Sequence, residues 1–535
     1  MAQWDDGYVT DVAYTSNFYR EMTPSWLGMT SLLLGHRPPD LAQPFHYADL
    51  GCGNGFTALA VAAACPHAEV WGFDFNPAHV EFAGTLARRA GLNNAHFVET
   101  SFGDLAALSD AALPDFDFMV AHGVLSWISP ANRHHLMAVI ARRLKPGGLV
   151  YLSYNVTTGW AAMIPVQSLM RRLSAASPER TDLAAPGVLA FIERLKQAGA
   201  LYFSNNAVLD ARLQDIGRQD ARYIAHEYLN QDWHPLMFAE IAGAMAEAKC
   251  RYIGSATLAE NIDTVSVPAG VAPILAETRD PMLRETLRDL GCAQGFRRDV
   301  YRRGVAPLPP SEQQVMLDAL TLAGLGTTAP DEGPRFATPI GDVTGRPELY
   351  RPLLAMIDAG PLTGRTARDL PAFAGRHLVE VMQAVALLVA GGFAHPVLPE
   401  GGSAAGRDAA RRLNLAIAQA NASGADMPRL AAPAIGSAVG VDLLETLVVG
   451  EVLAGRPAEV EMLAEQLTAV LAQVGRTVQR DGEPVRDPAE ARRVVVHVVR
   501  NIVERRLPVL RGLGVLGGSI DPPSATPDAT PGATG

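Results

Sequence analysis

The feature that most constrains the fold of this chain is a glycine-rich loop directly after a short apolar strand. Residues 45–50 have the pattern of a β-strand, and Gly51, Gly53 and Gly55 follow at alternate positions. An alanine-rich run with helical character begins at Phe56. Glycine is needed where a ligand approaches the backbone closely or where a turn takes a positive φ. A strand, a glycine loop and a helix in this order predict a ligand-binding crossover of a parallel α/β sheet.

Strand and helix patterns alternate after this loop. We predict strands over 69–75, 95–99, 116–121 and 149–154, and again over 250–256 and 296–302. Short strands that alternate with helical patterns are the signature of a doubly wound parallel sheet. Residues 161–231 interrupt the alternation with helical patterns. The predicted fold class is therefore α/β, a Rossmann-like sheet with a helical insertion and a mainly helical C-terminal domain.

The domain division follows these patterns and the placement of proline. A length of 535 residues corresponds to about three domains at ~150 residues each. We predict a pocket-closing segment (1–44), a ligand-binding domain (45–160 and 232–304), a helical insertion (161–231), a proline-rich linker with one helix (305–344), a helical domain (345–512) and a disordered tail (513–535). A helix over 378–390 and a glycine-turned extended segment over 391–397 make part of the helical domain a candidate winged helix.

The spacing of the glycines decides between two classes of ligand. A dinucleotide-binding loop needs its third glycine at position 56, where this chain has Phe56. Three alternating glycines with an acid, Asp49, two residues upstream instead resemble the loop of class I S-adenosylmethionine (SAM) methyltransferases. Asp74 ends the second strand, where a carboxylate can accept both ribose hydroxyls. Together with Leu144-Lys145-Pro146-Gly147-Gly148 before the fifth strand, these residues predict that SAM is the cofactor.

The predicted cofactor contacts lie on loops at the carboxyl ends of the first four strands. The glycines would hold the amino-acid and ribose portion of SAM, and Asp49 would face its ammonium side. At the adenine end, either Ser101 or Asp104 would supply the polar contact, and Phe102 would either stack on the ring or belong to the core. The complete predicted set is Asp49, Gly51, Gly53, Gly55, Asp74, Phe75, Ser101, Phe102, Asp104 and His122.

Several segments resemble one bacterial family over about residues 10–304. They are the segment 14–39, with its Gly35-His36-Arg37-Pro38-Pro39 run, together with 49–55, 122–127, 153–155, Gly159-Trp160 and 226–230. The family consists of methyltransferases that carry a methyltransferase regulatory domain, here a segment at about 210–300. Its members include the rickettsial-type protein lysine methyltransferases, which act on outer-membrane proteins and are multidomain and dimeric. The resemblance implies a SAM-dependent enzyme that forms a homodimer and acts on a protein substrate.

Candidate acceptor-site residues follow the fourth and fifth strands. His122, Tyr154 and Asn155 come at or directly after the ends of these strands, which face the ligand crevice of such a sheet. Tyr14, Tyr19 and Trp160 are candidates for closing the pocket, because aromatic faces suit a cationic methyl donor and a methylated ammonium. The alternatives are that His122 only hydrogen-bonds within its turn and that Tyr14 and Trp160 fill the core.

Composition excludes other classes of function. A formal charge of −11 disfavours nucleic acid as a partner. The four cysteines form no CxxC pair, which disfavours a disulfide framework and indicates a reducing compartment. His226 and Glu227 lack a helical i, i+4 partner, so we predict no metal site. Without an apolar run of ~18 residues or an N-terminal secretory signal, we expect no membrane span and a cytoplasmic location.

These observations predict a SAM-dependent methyltransferase that N-methylates protein side chains, with lysine as the acceptor. A methyltransferase for a small-molecule hydroxyl or carboxylate is the first alternative. A SAM-binding scaffold without turnover is the second. The large C-terminal region favours a macromolecular acceptor, since a small acceptor does not need so many further residues.

Overall fold

The protein is built around a mixed β-sheet. We describe a computed structural model that covers residues 8–9, 11–12, 17–304, 306–473, 475–480, 483–485 and 487–517. The strands of the main sheet are β1 (His46–Leu50), β2 (Glu69–Asp74), β3 (Ala95–Glu99), β4 (Phe116–Ala121), β5 (Leu144–Asn155), β6 (Cys250–Ser255) and β7 (Phe296–Arg303). Within the described residues, these seven strands pair in the order β3-β2-β1-β4-β5-β7-β6.

The strand order places a crevice at the glycine loop. β1 pairs in parallel with β2 on one side and with β4 on the other. The loops that leave β1 and β4 therefore diverge, and ligands bind in the crevice outside the carboxyl ends of the strands at such a point. β7 runs antiparallel to both β5 and β6. The predicted Rossmann-like sheet, to which the chain returns after a helical insertion, is confirmed.

Helices cover the sheet and form the insertion. They are α1 (Pro24–Leu33), α2 (Phe56–Ala64), α3 (Pro77–Ala90), α4 (Phe102–Ala107), α5 (Pro130–Arg143), α6 (Thr157–Trp160), α7 (Ile164–Ala175), α8 (Thr181–Gln197), α9 (Leu201–Ser204), α10 (Val208–Gly217), α11 (Ala221–Tyr228), α12 (Phe238–Glu247), α13 (Asp263–Ser266), α14 (Ala272–Glu277) and α15 (Pro281–Cys292). The start of α3 shows why they begin where they do. The Asn76 side chain accepts a hydrogen bond from Ala78 N, and Pro77 occupies the first helical position.

The C-terminal region is mainly helical with short strands. Its helices are α16 (Pro310–Ala319), α17 (Pro347–Ala359), α18 (Gly364–Arg368), α19 (Leu378–Ala390), α20 (Ala404–Ala422), α21 (Leu443–Leu453), α22 (Val460–Gln473), α23 (Pro488–Asn501) and α24 (Leu507–Gly512). Its strands are β8 (Thr321–Gly324), β9 (Arg335–Thr338), β10 (Gly341–Thr344), β11 (Leu362–Thr363), β12 (Ala394–Pro396), β13 (Arg429–Ala432), β14 (Ser437–Gly440), β15 (Gln479–Arg480) and β16 (Glu483–Pro484). A π-helical turn, Ile502–Arg506, joins α23 to α24.

The candidate winged helix is a helical unit beside a small antiparallel sheet. α18 and α19 lie between β11 and β12, and β8 pairs antiparallel with both of these strands. The central strand, β8, comes from residues 305–344, which the sequence predicts only as a linker with one helix. A strand of four residues is too short for its periodicity to stand out. These residues therefore contribute to the fold rather than only connecting its parts.

The C-terminal region packs directly on the sheet domain. Every residue of α2 is buried, and α20 lies against α2 and α3. A Cβ added at Gly406 of α20 would lie 2.7 Å from the Ala64 carbonyl oxygen. Arg412 Nε donates to Ala90 O at 2.8 Å, and Ser25 Oγ donates to Ile435 O at 2.7 Å. One buried apolar core thus joins the two regions.

The end of the described chain is also packed. Leu513 and Val515 are buried, and Asn414 Nδ2 donates to Val515 O at 3.0 Å. The disorder predicted from residue 513 therefore does not hold for 513–517, while 518–535 lie outside the described residues. Among the described helices, none has both the length and the apolar character needed to cross a bilayer.

Candidate active site

The glycine loop takes a backbone path that requires glycine. Gly51 has φ 84° and Gly55 has φ 68°, both in the left-handed region. A Cβ on Gly51 would lie 2.6 Å from Val124 Cγ2, and a Cβ on Gly55 would lie 2.5 Å from Phe97 Cε1. Glycine at these two positions lets the loop pack closely against Val124 and Phe97. At Gly53, which lines the cleft, a Cβ would meet nothing within 4 Å, so a ligand can approach the backbone there.

Asp74 is held in a fixed orientation at the end of β2. Its Oδ2 accepts a hydrogen bond from Gly53 N at 2.8 Å, and its Oδ1 accepts one from Asn76 N at 2.9 Å. His79 Nδ1 lies 3.2 Å from the same Oδ1. A carboxylate has about four lone-pair sites, so acceptor capacity remains on Oδ2 for a ligand hydroxyl. The glycine loop therefore orients the carboxylate predicted to bind ribose.

Asp49 lies in β1, two residues before Gly51, and has an unused acceptor. It is buried, and among the described residues its Oδ1 has no hydrogen-bond partner. Burial, assisted by the negative charge of Asp74, raises the pKa of Asp49 to about 8. A buried polar atom without a partner is costly, and a ligand cation nearby would stabilise the ionised form. This chemistry fits the ammonium of SAM.

The cleft next to the loop contains most of the predicted cofactor residues. Its walls include Gly51, Gly53, Asp74, Phe75, Ser101, Phe102 and His122 from the prediction, and Tyr8, His79, Thr100, Val124 and Trp127 besides. Asp49, Gly55 and Asp104 are not in the cleft wall. Ser101 Oγ donates to Asp104 Oδ2 at 2.8 Å and accepts from Asp104 N at 3.1 Å, which caps α4. Of these two polar candidates, the structure brings only Ser101 to the cleft.

A second cavity adjoins the cleft and has aromatic walls. Residues lining both cavities are His122, Gly123 and Trp127. The remaining wall residues are Tyr19, Asn155, Trp160, Arg212, Tyr223, Glu227, Tyr228, Gly295, Phe296 and Arg298. It is built from the start of the chain, the ends of β4 and β5, the helical insertion and the start of β7. The predicted acceptor-site residues His122, Asn155 and Trp160 meet here.

His122 separates the two cavities. Its Nδ1 lies 2.7 Å from Tyr151 Oη, and its ring stacks on Tyr19 with centroids 3.4 Å apart. Burial, with the charge of Arg298 as a smaller cause, lowers the pKa of His122 well below its ordinary value. The imidazole is therefore neutral at physiological pH. Its hydrogen-bond partner lies on β5 rather than within its own turn, and His122 lines both cavities.

The other predicted acceptor-site residues have different positions. Tyr154 lies in the core of the sheet domain, where its hydroxyl donates to Asp299 Oδ2 at 2.6 Å. Side chains alternate along a strand, so Asn155 faces the second cavity while Tyr154 faces away from it. Trp160 Nε1 donates to Gly295 O at 2.8 Å, which fixes its ring in the cavity wall. Tyr14 lies outside the described residues.

Glu227 is a site residue that the sequence analysis considered only as part of a metal pair. It lies on α11 of the insertion and lines the second cavity. Burial raises the pKa of Glu227 to about 8. His226 instead turns away, with Nε2 3.0 Å from Val12 O. Among the described residues, no group of three His, Cys, Asp or Glu side chains could hold a metal ion. The sequence does contain a signal for Glu227. It follows Tyr223 by four residues, which places the two side chains on the same face of a helix, and it is next to Tyr228.

Comparisons with known proteins agree with this geometry. A family model for a methyltransferase domain matches residues 48–148, and one for a predicted methyltransferase regulatory domain matches residues 220–303. The uncharacterized protein sll1526 of Synechocystis sp. is 33% identical over 515 residues, 96% of this chain and 99% of that protein. The uncharacterized protein RP789 of Rickettsia prowazekii is 24% identical over 292 residues, 54% of this chain and 51% of that protein.

A solved structure shows the same fold. PKMT2 from Rickettsia typhi, in complex with AdoHcy, superposes with a TM-score of 0.67 at 18% identity, covering 93% of this chain and 99% of that chain. The relative from Synechocystis matches nearly the whole chain, and both family models fall on the segments that build the two cavities. The chain therefore belongs to the class I SAM-dependent methyltransferases that carry a methyltransferase regulatory domain.

Proposed function

We propose that this enzyme transfers a methyl group from SAM to a side-chain nitrogen of a protein, with lysine as the acceptor. The observation that carries the proposal is the aromatic-walled second cavity, which meets the cofactor cleft at His122, Gly123 and Trp127. An acceptor in this cavity would reach the cofactor across that shared wall. Catalysis of methyl transfer is mostly positioning and exclusion of water, which two adjoining cavities provide.

The residues of the cleft fit SAM. SAM supplies an electrophilic methyl group on a sulfonium cation. Asp74 would accept the ribose hydroxyls, and Gly51 and Gly53 would lie against the amino-acid portion. Phe75 and Phe102, which line the cleft, offer apolar faces for the adenine ring.

The walls of the second cavity favour an amine. Tyr19, Trp127, Trp160, Tyr223 and Tyr228 present aromatic rings, whose faces attract ammonium and methylammonium groups. An amine must lose its proton before it can attack, and the usual pKa of lysine is ~10.4. Burial in such a cavity, next to the positive charge of SAM, favours the neutral amine.

A protein acceptor is supported by the size of the chain and by its structural neighbour. The fold of PKMT2, a rickettsial enzyme of the protein lysine methyltransferase type, extends over 93% of this chain. Residues 310–517 add a large region beyond the two cavities. We propose that this region and the insertion hold the substrate protein, that residues 1–44 close the pocket and that the enzyme acts as a cytoplasmic homodimer. Tyr8 and Tyr19, which line the two cavities, support the role of the N-terminal segment.

A second candidate function is O-methylation of a small carboxylic acid. Arg212 and Arg298 line the second cavity, and guanidinium groups bind carboxylates well. Each guanidinium is partly engaged: Arg212 Nη2 donates to Gly159 O at 3.0 Å and stacks on Trp160, and Arg298 Nη1 donates to Thr257 Oγ1 at 3.1 Å. Arg298 Nε has no hydrogen-bond partner among the described residues. The aromatic walls favour the amine, so the carboxylate acceptor is the second candidate.

The test begins with calorimetric titration of SAM into the protein and continues with transfer of a radiolabelled methyl group to cell lysate. The labelled material is separated into protein and small molecules, and the protein is hydrolysed for amino-acid analysis. We expect label in protein as N-methylated lysine. Label only in small acids would establish the second candidate, and failure to bind SAM would overturn both. The Asp74→Asn variant serves as the matched control for cofactor-dependent transfer.

A further inference from the structure

One acidic side chain in the second cavity, called the acceptor cavity from here on, has no role in the function proposed above. Glu227 lies in the last turn of α11, and it lines the cavity together with Tyr223 and Tyr228. Its backbone is fixed in place, because Trp127 Nε1 donates to Glu227 O at 3.4 Å. Among the described residues, the Glu227 carboxyl makes no hydrogen bond or ion pair. A carboxyl in an aromatic cavity without a partner is costly unless a ligand supplies one.

The other charged and titratable groups around the cavity are arginines, a histidine and tyrosines, and none of them offers a carboxylate to a cationic ligand. Arg212 Nη2 donates to Gly159 O and Arg298 Nη1 donates to Thr257 Oγ1, while Arg298 Nε has no hydrogen-bond partner among the described residues. His122 is hydrogen-bonded to Tyr151 and stacked on Tyr19. Burial, and next the negative charge of Glu227, raises the pKa of the phenols of Tyr8, Tyr223 and Tyr228. These hydroxyls therefore stay protonated. Glu227 is thus the acidic group of the cavity that is available to a cationic substrate.

We propose that Glu227 binds the ammonium group of the acceptor and takes its proton, so that the cavity selects an amine on a flexible alkyl chain. This inference rests on the proposed methyl transfer to nitrogen. An aromatic wall with a carboxylate is complementary to a lysine side chain, because the rings contact the methylene groups while the carboxylate pairs with the nitrogen. A neutral alcohol would offer the carboxylate a hydrogen bond but no positive charge, and an anionic acid would be repelled by it.

The proposed chemistry balances. One N–H bond of the alkylammonium breaks, and its proton passes to a Glu227 oxygen, leaving a neutral amine with a lone pair. That lone pair forms the new N–C bond, while the electrons of the broken S–C bond stay on sulfur. The product is a methylated ammonium, a neutral thioether and a protonated Glu227. The carboxyl then releases its proton to solvent, which restores the starting state.

The proposal gives a definite pH dependence. The ionised carboxylate is the form that binds the ammonium, and the Glu227 carboxyl loses its proton at about pH 8 when the cavity holds no amine. The kcat/KM for an amine should therefore rise as the pH increases through this region. In a variant without the carboxyl, kcat/KM should no longer rise near pH 8. It should rise only as the amine itself loses its proton, near the amine pKa of ~10.4.

The test compares Glu227→Gln with Glu193→Gln, a matched control on the exposed side of α8 in the same insertion. Binding of n-butylamine, a probe of the lysine side chain, is followed by saturation-transfer NMR with the cofactor product bound. Methyl transfer to poly-L-lysine is measured from pH 6.5 to 10, and SAM affinity by calorimetry. For Glu227→Gln we expect loss of the n-butylamine signal, unchanged SAM affinity and a kcat/KM at least ~100-fold lower, as for loss of a general base.

The outcomes separate this inference from the proposed function. If Glu227→Gln keeps the n-butylamine signal and the wild-type pH profile, Glu227 has no such role, although methyl transfer to lysine stands. If the wild type binds SAM but methylates only carboxylic acids, the proposed function and this inference both fail. Glu227→Asp, which keeps the charge on a shorter side chain, should retain n-butylamine binding. Its loss of that binding together with loss of SAM affinity would show general disruption and overturn the specific role.

Discussion

At the scale of single residues, Asp74 is the contact whose removal should be most informative. Its two oxygens are positioned by Gly53 N and Asn76 N. Asp74→Asn keeps the size of the side chain but removes the charge that strengthens hydrogen bonds from ribose. Charge-assisted hydrogen bonds contribute about 1.5–3 kcal/mol, which corresponds to a SAM affinity lower by about 10- to 150-fold. Calorimetric titration measures this change. Asp358→Asn, an exposed acid on α17, is the control, and equal affinities of the two variants would contradict the role.

Asp49 should make stability depend on pH. Its pKa is about 8 in the folded protein because of burial and the charge of Asp74, and about 3.9 when unfolded. The folded state therefore binds the proton more tightly between these values, and stability falls as the pH rises from about 4 to about 8. Asp49→Asn removes this titration.

The measurement for Asp49 is urea unfolding of both proteins without SAM at pH 5 and pH 9. The free energy of unfolding of Asp49→Asn, relative to wild type, should increase between these pH values by more than ~1.4 kcal/mol, the equivalent of one pKa unit. Glu227 and Asp289, whose pKa values are also raised, titrate in both proteins and cancel. A relative stability that does not change with pH would show that Asp49 is already ionised.

At the scale of elements, the sequence predicts what has a regular pattern. The strands before and after the glycine loop and the helix over 378–390 match the structure closely, because apolar runs mark them. The position of Tyr154 at a strand end predicts that it lies in the site, but the alternation of side chains along the strand directs it into the core. The sequence does not predict β8, because a strand of four residues has no clear period. Glu227 lies far along the chain from the loop, and only tertiary packing brings it to the cavity.

The contact between α6 and the loop before β7 should shape the acceptor cavity. A Cβ on Gly159 would lie 2.5 Å from Gly295 Cα and 2.7 Å from Gln294 O, so Gly159→Ala must push these segments apart. Trp160, which hydrogen-bonds to Gly295, would move with them. We expect a loss of about 1–3 kcal/mol of stability and a higher KM for the acceptor. SAM affinity should be unchanged.

The control for this element is Gly187→Ala, because a Cβ there meets nothing within 4 Å and Gly187 lies inside α8. Alanine in a helix interior should raise stability by roughly 0.5–1 kcal/mol. Thermal unfolding and steady-state kinetics measure both variants. If Gly159→Ala changed SAM affinity as much as the acceptor KM, the contact would support the whole sheet rather than the acceptor cavity.

At the scale of the whole molecule, the C-terminal region and the sheet domain should unfold together. They share a buried core, and α20 lies on α2, the helix that the glycine loop begins. Removal of the residues beyond 303 would expose the apolar face of α2, so a truncated chain would not be a sound test of the acceptor. Calorimetry of the full chain should show one unfolding transition, and SAM should raise the midpoint temperature of that whole transition.

Gly406→Ala tests this coupling without truncation. The added methyl group would lie 2.7 Å from the Ala64 carbonyl oxygen, a backbone atom that cannot give way easily. We expect about 1–3 kcal/mol less stability and weaker SAM binding, because displacement of α2 disturbs the loop at its start. Gly243→Ala on α12, where a Cβ meets nothing within 4 Å, should leave SAM affinity unchanged. A second transition that SAM does not shift, with normal SAM affinity in Gly406→Ala, would show that the two regions fold independently.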